Sequence, residues 1–261
     1  MKFLRFSSFW LSFVYVFVLG SLACAASDAS DEIAGDPLCS LKYMTEEYRP
    51  FSFRDAEGRA TGLSVEVLRL VMKELGCPAP ELTFYPWSMA YRILQERPET
   101  VLFSISKSKH RMNQCKFAGP IAEVNYALVA RKDAGIRVNS LRDVAGLRVG
   151  VRQDGWADAF FHFHLPTVSL ARKPRIEFAV NHVRKGNLDL FAYAEPGVPA
   201  LLRGMRLDPK EYEVVYVFEP VSPYYGFHKE TPDAYVERFQ MALDVVKTRP
   251  EFQELIERYL E

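Results

Sequence analysis

The chain has 261 residues, 49% of them apolar and 25% charged, with a mean hydropathy of −0.10, enough to build one large or two small domains. Basic and acidic side chains number 33 each. No stretch is basic enough to neutralise a phosphate backbone, which argues against nucleic acid as a partner.

At the N-terminus, Lys2 and Arg5 precede an uncharged run from Phe6 to Ser27 that is rich in Phe, Val and Leu. Small residues (Ala23, Cys24, Ala25, Ala26) close the run, and an acidic stretch begins at Asp28. This order predicts a secretory signal over residues 1–26, cut after Ala25 or Ala26 and directing the chain to the periplasm. The alternatives are an uncleaved anchor helix, or lipidation at Cys24, where Ser21-Leu22-Ala23-Cys24 fits a loose lipobox. Export implies an oxidising compartment, so cysteines are candidates for disulfides. Cys39 precedes the first predicted strand and Cys77 the second. If those strands are parallel neighbours, a Cys39–Cys77 bridge joins their starts and Cys115 is left as a buried thiol.

Beyond a polar lead to Pro37, strands and helices alternate. Leu41–Met44 reads as a strand, followed by a helix N-capped by Ser64 with Val65, Leu68, Val71, Met72 and Leu75 on one face and Gly76 at its end. Leu82–Tyr85 reads as strand, Ser88–Gln95 as helix, Val101–Ile105 as strand and Val124–Arg131 as a further β-rich run. A second set starts with a strand over Leu147–Arg152 and a helix over Trp156–His164. It continues with strand Ile176–Ala179, helix Val180–Lys185, strand Leu188–Ala192, a helix opened by Pro196 and strand Val214–Phe218. Thr231 caps and Pro232 opens a helix with Tyr235, Phe239, Leu243 and Val246 inward, and Pro250 opens the last, with Phe252, Leu255, Ile256 and Tyr259 inward. Breaks around Pro120 and around Pro220–Pro223 divide this α/β run into lobe, lobe and return. A chain that leaves its first lobe and comes back makes a two-strand hinge, over which a cleft can close.

Six segments carry a resemblance: Thr45–Phe53 (TEEYRPFSF) with Gly62–Gly76, Phe103–Arg111 (FSISKSKHR) leading to Phe117–Ile121, Gly146–Trp156 (GLRVGVRQDGW) and Gly186–Pro196 (GNLDLFAYAEP). In order and spacing the chain from Leu38 to Glu261 resembles the bacterial extracellular solute-binding proteins of family three, the polar amino acid type that serves ABC importers. The resemblance implies a type-two periplasmic binding fold: two lobes, each a mixed, mainly parallel sheet flanked by helices, joined by a two-strand hinge. Lobe one would comprise residues 38–119 plus 224–261 and lobe two residues 120–223.

It also implies a ligand site. Arg111 matches the family's carboxylate-binding arginine, a task suited to a planar fork that donates two parallel bonds and keeps its charge in a dry cleft. Ser104 and Ser106 match positions that face the ligand. The turn Gln153-Asp154-Gly155-Trp156 matches the strand-to-helix turn of lobe two, whose free amides can receive an anion. Tyr48, Phe51 and Trp87 supply aromatic walls. The family's ammonium-binding carboxylate falls at Ala194, so Glu195 or Asp154 would have to replace it.

The expected function is capture of a small polar, carboxylate-bearing solute and its delivery to an inner-membrane ABC permease by a monomer that needs no cofactor or metal. Enzyme motifs such as GxSxG, a P-loop or HExxH do not occur. The alternatives are a cyclohexadienyl dehydratase-like enzyme on the same fold, with Glu195 or Glu47 as acid, and a sensing module without a permease.

Overall fold

The protein is described as a computed structural model over residues 36–218 and 220–260; the expected signal, with Cys24, lies outside the described residues. The chain runs α1 (Pro37–Ser40), β1 (Lys42–Thr45), the hairpin β2 (Phe53–Arg54) and β3 (Ala60–Thr61), α2 (Leu63–Glu74), β4 (Leu82–Phe84) and α3 (Trp87–Glu96). Then come β5 (Thr100–Ser106), α4 (Lys109–Met112), β6 (Cys115–Ala118), β7 (Tyr126–Arg131), β8 (Arg148–Arg152), α5 (Trp156–His164) and β9 (Ser169–Lys173). It closes with α6 (Ile176–Arg184), β10 (Leu190–Ala194), α7 (Val198–Gly204), β11 (Tyr212–Val217), β12 (Pro223–His228), α8 (Asp233–Lys247) and α9 (Pro250–Leu260).

Two five-stranded sheets result, in the orders β4-β1-β5-β12-β6 and β11-β7-β10-β8-β9. In the first, β4, β1 and β5 are parallel, and β12 runs antiparallel to β5 and β6. In the second, β10, β8 and β9 are parallel, and β7 runs antiparallel to β10 and β11. The central strands read as unbroken apolar runs because helices cover both faces: Val101, Leu102, Phe103 and Ile105 of β5 are all fully buried.

The chain passes between the sheets twice, through residues 119–125 and 220–222. These passages run side by side, antiparallel, with Val221 N donating to Val124 O at 2.6 Å and Ile121 N to Pro223 O at 2.8 Å. A disulfide links Cys39, at the end of α1, to Cys77, just past α2. Cys115 is a buried free thiol.

Several local expectations are corrected. Ile176–Ala179 is not a strand but the first turn of α6; Ile176, Ala179, Val180 and Val183 are buried at helical spacing. The strand lies upstream, where β9 is a half-exposed sheet edge without apolar alternation. Ser64 sits inside α2, whose N-cap is Gly62, and α8 begins at Asp233 after Pro232, so neither Ser64 nor Thr231 caps its helix. Both hydroxyls are buried without a hydrogen-bond partner among the described residues. Pro196 belongs to a 3-10 turn, Glu195–Gly197, that leads into α7.

Candidate ligand-binding cleft

Parallel strands deliver the following loops to one edge of the sheet, and this edge is where α/β folds place ligands. Here the C-terminal ends of β1 and β4 face those of β8, β9 and β10 across a cavity of about 200 Å³. Glu46, Tyr48 and Trp87 line one side; Tyr126, Arg152, Trp156 and Tyr193 line the other. A narrow extension of about 20 Å³ runs past Phe51, Ser104 and Ser106.

The first-sheet wall is fixed by its own backbone. Gly62, at φ 117°, lies so close to the 50–51 loop that a Cβ there would sit 2.5 Å from the Phe51 carbonyl oxygen. This contact, with Leu63 N donating to Pro50 O at 3.0 Å and Ser64 N to Phe51 O at 2.8 Å, clamps the loop carrying Tyr48 and Phe51 to the start of α2. In β5 the register with β12 slips between Ile105 and Phe103, leaving Ser104 as a bulge at φ 63°. Its hydroxyl lies 3.3 Å from Ser52 Oγ, which also accepts a 2.8 Å bond from Thr45 Oγ1.

Arg111 is buried where the two lobes meet. Ser108 Oγ accepts its backbone N–H at 3.4 Å and so caps α4. Its Nη1 donates to Ser106 O at 3.0 Å and Ser106 Oγ at 2.6 Å, and its Nη2 crosses the cleft to Asp154 O at 2.7 Å. Trp87 Nε1 donates to the same carbonyl at 2.9 Å. Asp154 takes φ 57°, and its backbone N–H donates to Asp158 Oδ2 at 3.0 Å, which holds the turn at the start of α5. The guanidinium stacks 5.0 Å from the Trp87 ring and 5.3 Å from Tyr91. Burial draws its pKa below the ordinary arginine value.

A second guanidinium, absent from the sequence-based set, stands at the centre. Arg152, the last residue of β8, reaches across to a buried carboxylate, Glu46, just after β1. It lies 4.6 Å from the Trp87 ring and 5.2 Å from Tyr48, folded over Gly155, where a Cβ would come within 3.2 Å of its Nε. Burial pulls the Arg152 pKa down to about 10, which still leaves it charged at neutral pH. Tyr48 donates to Tyr126 Oη at 3.1 Å and Tyr193 to Arg49 O at 2.7 Å, both across the lobes, and burial raises all three phenols above their usual range. Gly197 completes the closure: a Cβ there would lie 2.5 Å from Arg49 O. At the mouth, Arg54 pairs with Glu47 at 3.0 Å and Arg175 with Glu177 at 3.0 Å.

Of the residues read from the sequence, Tyr48, Trp87, Gly155 and Trp156 line the main cavity and Phe51, Ser104 and Ser106 its extension. Arg111 and Asp154 lie together on a neighbouring groove with Tyr91 and His162. Gln153 is exposed, its N–H bonded to Lys173 O at 2.8 Å. The Gly155 N–H is held by Arg152 O at 3.1 Å. Glu195 lies outside the lining and accepts from Asn125 Nδ2 at 3.0 Å. Ala194 is fully buried. Glu46, Arg152, Tyr126 and Tyr193 were missed, although Glu46 directly follows a strand and Arg152 ends one, the positions that the edge rule marks.

Two α/β lobes joined by paired crossings, with polar groups from both meeting over a cavity, define a type-two periplasmic binding fold. The sequence profile of the bacterial extracellular solute-binding proteins, family 3, matches residues 41–261, and the chain belongs to that family. It is similar to a probable amino-acid ABC transporter-binding protein of Haemophilus influenzae, 28% identical over 142 residues, which are 52% of this chain and 54% of that protein. The match thus spans about half of that relative's length. Among solved structures, a histidine kinase sensor domain with similarity to periplasmic binding proteins superposes with TM-score 0.76 at 21% identity, covering 85% of this chain and 96% of its own. A Salmonella typhimurium periplasmic binding protein of high arginine specificity gives 0.72 at 18% identity, covering 85% and 99%. An ancestral amino acid-binding protein, a precursor of cyclohexadienyl dehydratase, gives 0.72 at 19% identity, covering 85% and 95%.

Proposed function

We propose that this protein works outside the cytoplasmic membrane, capturing a small polar, carboxylate-bearing, amino acid-like solute between its lobes and presenting it to an ABC importer. One observation carries this reading: the strand ends of both sheets converge on one small cavity lined by the buried guanidinium of Arg152, beside a neighbouring groove where the guanidinium of Arg111 is buried against Asp154 of the other lobe. Guanidinium groups held in a dry, aromatic-walled site favour a carboxylate over a neutral solute. The naming of the Haemophilus influenzae relative and the arginine-specific neighbour support the amino acid class and the delivery partner.

A thermal-shift screen of amino acids, small organic acids and polyamines tests it. A ligand at one hundred times its Kd stabilises a folded protein by about 2.7 kcal/mol, which raises Tm by about 5–10 °C in a chain of this size. A shift with a carboxylate-bearing solute is the expected result; a response to polyamines alone overturns it. The dehydratase alternative needs a proton donor in the cleft. Of the carboxylates suggested for it, Glu47 is paired with Arg54 and Glu195 lies outside the lining, which favours the binding reading. Turnover of prephenate or arogenate by the purified protein would reverse that preference.

A further inference from the structure

We infer that the Glu46–Arg152 pair is an internal stand-in for the ligand's own charges: a solute carrying one cation and one anion displaces it, its cation going to Glu46 and its anion to Arg152. This rests on the carboxylate-solute reading and adds to it the second charge and the residue that receives it.

The cavity is lined by three carboxylates, Glu46, Glu47 and Glu177. Glu47 and Glu177 are bound by Arg54 and Arg175 of their own lobes, in pairs that stand partly in solvent. Glu46 differs on both counts: its side chain is 8% exposed, and its partner comes from the opposite lobe. The Arg152 Nε is buried and has no hydrogen-bond partner among the described residues, so the pair with Glu46 leaves one donor of this cavity-lining guanidinium unused. Arg111, by contrast, already directs three of the five donors of a guanidinium at Ser106 and Asp154.

Electroneutrality selects the ligand. Separating a buried ion pair strands two charges, so an entering solute must replace both. A plain carboxylate satisfies Arg152 and abandons Glu46; a plain amine does the reverse. A zwitterion exchanges one pair for two and leaves no charge without a counterpart. This exchange also accounts for the uncharged Ala194, since the cation is received at the end of β1 instead of the end of β10.

The test compares three forms of each solute by calorimetry on the wild-type protein: the twenty L-amino acids, the carboxylic acids lacking the amino group, and the amines lacking the carboxyl group. At least one amino acid should bind saturably, and both of its singly charged analogues should bind at least about 30-fold more weakly. In Glu46→Gln the margin between that amino acid and its desamino acid should shrink to about threefold or less, and in Arg152→Gln the margin over the amine should shrink likewise. A desamino acid that binds the wild type as tightly as its amino acid overturns this inference and leaves the carboxylate-solute reading standing. If neither amino acids nor carboxylic acids bind, both fall. An unaltered margin in a folded Glu46→Gln protein overturns the assignment of Glu46, and the wild-type comparison decides the matter even if the variant fails to fold.

Discussion

On the first-sheet side of the cleft, Thr45, Ser52 and Ser104 bond to one another and the 50–51 loop is clamped to α2, a set of contacts made within one lobe. On the second-sheet side, the backbone of the turn from Arg152 to Trp156 is held within its lobe, but its carbonyl at Asp154 and guanidinium at Arg152 find partners across the gap. The difference separates two tasks. The first wall is shaped whether or not the lobes meet; on the second, the Asp154 carbonyl and the Arg152 guanidinium take their partners from the other lobe, so on the proposed reading ligand and closure draw on the same groups. A solute that binds the closed form better shifts the population by that difference alone.

This contrast can be broken by mutation. The largest effect is expected from Trp87→Ala, which removes a buried ring lying against both arginines and a donor to Asp154; a loss of about 3–5 kcal/mol should appear in denaturant unfolding. Arg111→Ala should cost about 2–4 kcal/mol by the same measurement, because Ser106 and Asp154 lose a buried charged partner. A loss below about 0.5 kcal/mol would mean that Arg111 is not a tie between the walls. Tyr193→Phe removes one interlobe bond, to Arg49 O, and should cost about 1 kcal/mol while leaving the first-sheet wall intact.

The smallest effect at neutral pH concerns Cys115, behind the first-sheet wall. Burial lifts its thiol from 9.0 to about 12, so the folded state holds its proton while the unfolded state releases it. The stability tied to this group is complete below about pH 9 and declines as pH rises toward 12. Native protein at pH 8 should therefore resist alkylation at Cys115, as read by peptide mass spectrometry, and lose that protection on unfolding.

The alternation of strands and helices was legible because buried parallel strands are apolar throughout and helices such as α2 and α8 keep one apolar face. The edge strand β9 was not, since Ser169–Lys173 meets solvent and carries no periodic signal, and its place was assigned to the start of α6. The returning strand β12 was read only as a break, because the prolines around it masked the run Tyr224–His228. In the cleft, the wall residues carried by strand ends could be named. The Glu46–Arg152 contact spans 106 positions, and nothing local in either segment announces the other. Glu195 shows the converse: its neighbours suggested a role, but it accepts from Asn125 and lies outside the cavity lining.

Of the three tryptophans in the chain, Trp87 and Trp156 both border the cavity, one on each lobe. Indole emission responds to the polarity and charge around the ring, and both rings would exchange solvent or side-chain neighbours for solute as the jaws shut. On the proposed reading the molecule thus carries its own optical gauge of occupancy, readable without a dye or label.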